Sequence, residues 1–259
     1  MNNETTRAST TTPAPARTVP PLSAIAITYG IVLRQLVTKG RIIALLLVGA
    51  LVAVVAGAVG AADDIDDPLE AGVRVIADLG FIALVPIVAL VFASAALGDL
   101  REDGTLVYLW LRPIDRWPVV VGAWAAAITV SLPLTIVPLV VSSTLVDGGS
   151  TLVTATVLAT VVGVICYSAL FVLAGLLVKN SIVWGLAYIL IWEGIIAALG
   201  SFAAKLAIRG YTRSIITDRT GVDLELGDLP LAAGVIVPLV AAFVLLVLAA
   251  VRLRSMEIA

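Results

Sequence analysis

The sequence predicts an all-α integral membrane protein. It should have six transmembrane helices, an N-terminal interfacial helix, and a short amphipathic helix on the loop between the second and third spans. Three observations predict it. Hydrophobic residues make up 61% of the 259-residue chain and charged residues 13%, with a mean hydropathy of +1.12, which is far more apolar than a water-soluble domain. The apolar residues gather into six runs that can each cross a bilayer core. The charged residues between those runs are distributed unevenly, with the basic ones concentrated in alternate loops.

Taken in order, residues 1–21 are rich in Thr, Ala and Pro, including Pro13, Pro15, Pro20 and Pro21. Such a segment cannot bury enough surface to order itself, and is expected to be a disordered cytoplasmic tail rather than a cleaved leader. The remainder, 22–259, is expected to form one six-span domain. Within it, 22–38 places Leu22, Ile25, Tyr29, Val32, Leu33 and Leu36 at helical spacing, with Arg34, Gln35 and Thr38 off the stripe. It is too short and too polar at its end to span, so an interfacial helix is expected, turning at Lys39-Gly40-Arg41. The alternative is a simple extension of the first span.

The predicted spans are 42–62, 79–97, 119–146, 152–178, 182–199 and 231–251. At about 1.5 Å per residue each reaches across a core of about 30 Å, the fifth only just. Pro86, Pro133, Pro138 and Pro238 lie inside spans, where neighbouring groups can satisfy the carbonyls a proline frees. Gly49, Ala53, Gly57 and Ala61 recur at every fourth position of the first span, a small-residue face that lets a second helix approach closely.

With both termini inside, the inner side holds eleven basic residues: Arg7, Arg17, Arg34, Lys39, Arg41, Arg101, Arg112, Arg116, Lys179, Arg252 and Arg254. The outer side holds five: Arg74, Lys205, Arg209, Arg213 and Arg219. That bias predicts a multi-pass protein of the cell membrane with cytoplasmic termini. On the outer side, the acidic run from Asp63 to Glu70 matches no Ca2+ loop and lacks its glycine, so it reads as a solvated face. The last outer loop, 200–230, carries helical patterns over 202–209 and 211–216 before a polar segment.

Between the second and third spans lies a polar island, 99–117. Acidic residues and Gly104 come first and Thr105 is a plausible helix start. Leu106, Leu109 and Leu111 give an apolar set, and Pro113 sits where a short helix would stop. Trp110 and Trp117 are placed for headgroup depth. The order of Glu102, Gly104-Thr105-Leu106, Leu109, Leu111, Pro113, Arg116 and Gly122 resembles the signature of type-2 ABC transporter permeases. In that family the segment is the coupling helix that docks into a groove of the ATP-binding subunit. The resemblance therefore implies a coupling role for Glu102, Gly104, Thr105, Leu106, Leu109, Pro113 and Arg116. It further implies an elbow helix ahead of span one and a last outer loop folded as a helical hairpin dipping back toward the membrane.

Composition limits the chemistry. Histidine is absent and Cys166 is the only cysteine, which excludes an intrachain disulfide, a His- or thiolate-based metal site and any His-dependent triad. No Gly-x4-Gly-Lys-Ser/Thr phosphate loop exists, so this chain is not expected to hydrolyse ATP. The one ionisable residue inside a predicted span is Glu193. An unpaired charge there costs about 2.5–3.5 kcal/mol on the insertion scale. It is expected to be neutral or paired, with Lys205 or Arg209 of the outer loop as partner. Two readings stay open, a structural pin between the fifth span and the outer loop, or a contact to substrate or proton. A Trp-Glu-Gly at this position (192–194) also resembles a subgroup of type-2 ABC permeases.

The function this implies is the permease subunit of an ABC exporter, not itself an enzyme. It would pair with a second copy or a related permease in membrane lipid and couple to a separate ABC ATP-binding subunit. No cofactor is expected in this chain, since ATP and Mg2+ would be bound by that partner, and no nucleic acid is expected. Two alternatives belong to other classes: a non-transporting membrane anchor of an ATPase, and a membrane-embedded enzyme, for which only Glu193 would qualify. The transported substrate is left open.

Overall fold

The computed structural model describes residues 20–62, 66–102, 115–199, 201–224 and 229–256, and every element among them is helical. In chain order these are α1 (Pro21–Leu36), α2 (Lys39–Gly60), α3 (Pro68–Glu102), α4 (Arg116–Leu145), α5 (Gly149–Leu177), α6 (Ser181–Ile195), α7 (Ser201–Ala204), α8 (Ile208–Thr220) and α9 (Leu231–Ser255). Five of them, α2, α3, α4, α5 and α9, are long and apolar enough to cross a membrane. The chain is a multi-pass helical membrane protein.

Six spans were expected, and the segment 182–199 needs correction. Helix α6 has seven α-helical residues followed by eight wound as a wider π-helix, Tyr188–Ile195. A tight 3-10 turn, Ile196–Ala198, then ends it. Even at the ordinary rise, that length covers roughly 22 Å, short of a core of about 30 Å. The chain turns at α7 and folds back as α8, so two short helices occupy the place of one long one.

The second span differs in the other direction. It begins at Pro68 rather than 79, because the outer loop carries a complete helix start. The Asp67 carboxylate accepts the Glu70 N–H at 2.9 Å, and Pro68 occupies the first position, where a missing N–H costs nothing. Glu70 and Arg74, one turn apart, pair at 2.6 Å on the exposed face. Residues Ile76–Leu84 of α3 are also π-helical.

Helix α5 is the centre of the bundle and packs against α3, α4, α8 and α9. Its best apolar stretch and that of α3 are each 61% buried, against 28% for α2 and 22% for α9, so α2 and α9 are the periphery. Their exposed residues (Leu47, Leu51 and Val54 on α2; Phe243, Val247 and Val251 on α9) are large and apolar, an outer surface that suits hydrocarbon and not water. The small-residue face of α2 packs on α4. A methyl group added at Gly49 would stand 2.8 Å from Pro138 Cγ, and one at Gly57 would stand 3.0 Å from Leu145 Cδ1. The last member of that face is Gly60, under the Leu145 carbonyl, rather than Ala61, which is exposed.

Contacts sort the helix termini into two ends. Arg41 of α2 pairs with Asp99 of α3 at 3.5 Å, and Asn180, just before α6, meets Glu102. At the opposite end, Gly60 and Gly72 both pack against residues 145–146. We call these the near end and the far end.

Helix α1 lies along the first half of α4. Its buried residues are Ala24, Thr28, Val32 and Leu36, whereas Leu22 is 80% exposed. The expected stripe is therefore displaced, and the reason is steric. At Gly122 of α4 an added methyl would lie 2.8 Å from the Ile25 carbonyl oxygen and 3.0 Å from Thr28 Cβ. Only slender residues fit so close a crossing, and a large aliphatic side chain would hold the helices apart. Tyr29 then reaches along α4 to donate to Thr129 Oγ1 at 3.3 Å.

Candidate functional site

Two regions carry the residues singled out from the sequence. At the near end, Glu102 closes α3 and Arg116 opens α4, so both flank the polar segment that joins them. Gly104, Thr105, Leu106, Leu109 and Pro113 lie outside the described residues. Glu102 is exposed, and its Oε1 accepts the Asn180 N–H at 3.0 Å. Asn180 has φ 55°, a left-handed conformation that asparagine tolerates, and it turns the chain from α5 into α6. Arg101 donates to the Gly175 carbonyl at 3.5 Å. Below that contact, a methyl at Gly175 would meet the Ser94 carbonyl at 2.6 Å, so α3 and α5 cross almost backbone to backbone. These contacts link the ends of α2, α3 and α5 beside the point where α3 ends.

The second region is at mid-depth. Gly163, the middle residue of α5, packs against Thr212 of α8 and Val85 of α3, so the folded-back helix reaches the level of the bundle centre. There the end of α6 meets the start of α8. The N-terminus of α8 is buried from Ala207 to Gly210, and its own N-cap residue, Ala207, has no side chain that could satisfy the first N–H groups. Glu193 supplies what is missing. It is fully buried, and its carboxylate accepts the Ile208 N–H at 3.0 Å and the Arg209 N–H at 3.1 Å. The Tyr188 hydroxyl adds a third hydrogen bond at 2.9 Å.

The π-helical winding of 188–195 makes that third contact possible. In an ordinary helix, residues five apart stand about 140° apart around the axis and face different neighbours. A wider turn brings Tyr188 and Glu193 onto one side. Tyr188 is held in place by Phe171, edge-on at 6.3 Å, which is itself stacked on the fully buried Tyr167 at 6.1 Å. The expected partners of Glu193 were Lys205 and Arg209. Among the described residues neither makes an ion pair with it. Lys205 is exposed, and Arg209 contributes its backbone N–H while its side chain points elsewhere.

Arg209 is one of the residues that line a polar cavity of about 360 Å3. Its walls are Arg74, Asp78 and Ile82 from successive turns of α3, Gly194 from α6, Arg209 and Arg213 from successive turns of α8, and Leu224. The two π-helical stretches, 76–84 and 188–195, touch one another here. Arg209 is 4% and Arg213 5% exposed. Arg213 pairs with Asp78, and Arg74 with Glu70. Arg209 has no carboxylate at ion-pair distance among the described residues, and its Nε has no hydrogen-bond partner. Sequence reasoning missed this cluster. The Arg209-x3-Arg213 spacing was visible, but its meeting with Asp78 depends on α8 folding back into the bundle.

No protein-family model matches the chain, and no curated protein matches its sequence.

Proposed function

We propose that the chain is the membrane-spanning permease subunit of an ATP-driven ABC exporter, powered by a separate ATP-binding subunit that docks beneath the segment between α3 and α4. One observation carries this reading. A charged segment, with the order from Glu102 through Gly104-Thr105-Leu106 and Pro113 to Arg116, joins two long apolar helices at the near end, in a chain with no phosphate loop of its own.

The architecture supports it in three ways. In this reading helices α6 to α8 together stand in for the sixth crossing between the near end and the start of α9, which would put both termini on the side of the docking segment. The ties from Arg41, Arg101 and Glu102 link the near ends of α2, α3 and α5. A push on the docking segment is then passed to α2, α3 and α5 together rather than absorbed locally. Finally, α1 is a short helix ahead of the first long one, packed on α4, and it stands where the resemblance to type-2 permeases expects an elbow helix. Two such chains, or this chain and a related permease, would enclose the pathway. Binding energy in the ATP-binding subunits would bias the bundle between two states.

The experiment is purification of the chain with candidate ATP-binding subunits. The isolated chain should show no nucleotide hydrolysis, and the complex should. Gly104→Val combined with Thr105→Leu should leave membrane insertion intact and lower the stimulated rate several-fold. Hydrolysis by the chain alone, or an unchanged rate in the double variant, would overturn the assignment.

A further inference from the structure

We propose that the cavity between α3, α6 and α8 is a binding site for a phosphate-type oxyanion, with the Arg209 guanidinium as its anchor. This does not depend on the chain being a permease.

Charge and burial lead to this conclusion. Among the described residues, three arginines line the cavity with one carboxylate, Asp78. Arg74 is matched by Glu70 outside the cavity and Arg213 by Asp78. Arg209, one of the residues lining the cavity, is 96% buried, yet among the described residues it pairs with no carboxylate and its Nε has no acceptor. A guanidinium always carries its charge, so it cannot escape burial by losing a proton. A buried cation facing open volume is stable when an anion occupies that volume. The one buried acid beside the start of α8 among the described residues, Glu193, is already committed to Tyr188 and to the first N–H groups of α8. It is turned away from the role of counter-ion.

The shape fits the same ligand. Arg74 and Asp78 are exposed at the mouth, and Arg209 lies deep inside, one helical turn from Arg213. Residues at i and i+4 lie on one face of a helix, so Arg209, with Arg213 one turn on, puts guanidinium donors on the side that suits the several acceptor oxygens of a phosphate. The cavity forms where π-helical stretches of α3 and α6 touch, and widened turns of this kind recur at functional sites. A free phosphate and a lipid headgroup share this chemistry. The exposed apolar residues beside Gly194, Ile191 and Ile195, leave a surface along which a headgroup's chains can lie.

The test uses the full chain in a non-ionic maltoside micelle, which carries no phosphate. Thermal unfolding is followed with inorganic phosphate, with lysophosphatidic acid, and with sodium chloride at matched ionic strength. The wild type should be stabilised by phosphate, by the lipid, or by both, and not by chloride. Protection by phosphate alone identifies a free oxyanion, and protection by the lipid alone identifies a headgroup. Arg209→Gln should weaken the effective ligand roughly tenfold or more, as expected when a charged hydrogen-bond donor is removed. Arg209→Lys should retain part of it. If Arg209→Gln does not fold, Ile82→Trp fills the cavity while leaving every arginine in place, and should abolish the protection. No protection of the wild type by either ligand, or equal protection in the Gln or Trp variant, would overturn the proposal.

Discussion

Glu193 holds α6 to α8 through backbone N–H groups, and this sets what its removal should cost. Three hydrogen bonds end on its carboxylate, two of them from the first turn of a buried helix with no cap of its own. Glu193→Ala should therefore lower stability by roughly 3–5 kcal/mol, because it leaves those N–H groups buried without acceptors. Tyr188→Phe should couple to it in a double-mutant cycle by about 1 kcal/mol, and Lys205→Met should not couple at all. Thermal or denaturant unfolding of the single and double variants measures both. A larger coupling to Lys205 than to Tyr188 would mean that an ion pair holds the helices. The sequence made Glu193 conspicuous and showed that burial would demand partners. It did not reveal the partners, because a backbone N–H becomes a donor worth counting only once a helix start is buried, and nothing in the residue types of 205–209 announces that.

At the scale of elements, close crossings decide the registers, and glycine marks some of them. Gly30 and Gly122 lie in the same helix pair with opposite surroundings: nothing lies within 4 Å of a methyl added at Gly30, whereas one added at Gly122 would press on the Ile25 carbonyl at 2.8 Å. Intrinsic propensity favours alanine over glycine at both by about 1 kcal/mol. Gly30→Ala should accordingly be neutral or mildly stabilising. Gly122→Ala should destabilise by about 1–3 kcal/mol and loosen α1, read as faster proteolysis within 21–36. Equal behaviour of the two variants would remove the crossing as the cause. Apolar run length located all five long helices to within a few residues at most termini. The exceptions have physical causes. Helix α3 starts eleven residues early because Asp67, Pro68 and the Glu70–Arg74 pair build a polar first turn that a hydropathy criterion discards. Helix α6 stops short although 182–199 is apolar throughout apart from Glu193. Apolarity says that a segment is buried or faces lipid, and it cannot say whether the helix stays straight. The winding changes where Glu193 must meet α8.

For the whole molecule, the strongest expectation is orientation. The structure divides the helix termini into two ends without reference to a membrane: residues 41, 99–102 and 175–181 at one, residues 60, 72 and 145–146 at the other. The basic residues predict which side each end faces. Lys39, Arg41, Arg101, Arg116 and Lys179 stand at or beside helix termini of the near end, and the excess of basic residues there predicts that this end is cytoplasmic. Asp66 and Asp115 are suitable reporters. Both are exposed; Asp66 lies two residues before α3 and Asp115 one residue before α4. Helix α3 separates their two ends by roughly 50 Å at 1.5 Å per residue, more than a bilayer core is thick. The native Cys166 is buried at the middle of the bundle and gives little background. Asp66→Cys should react with a membrane-impermeant thiol reagent in intact cells, and Asp115→Cys only after the cells are opened. Reaction of both from the outside would contradict the crossing of α3 itself. The reversed pattern would keep the fold but put the segment between α3 and α4 on the outer surface, where no ATP-binding subunit could reach it, and the proposed coupling would fail with it.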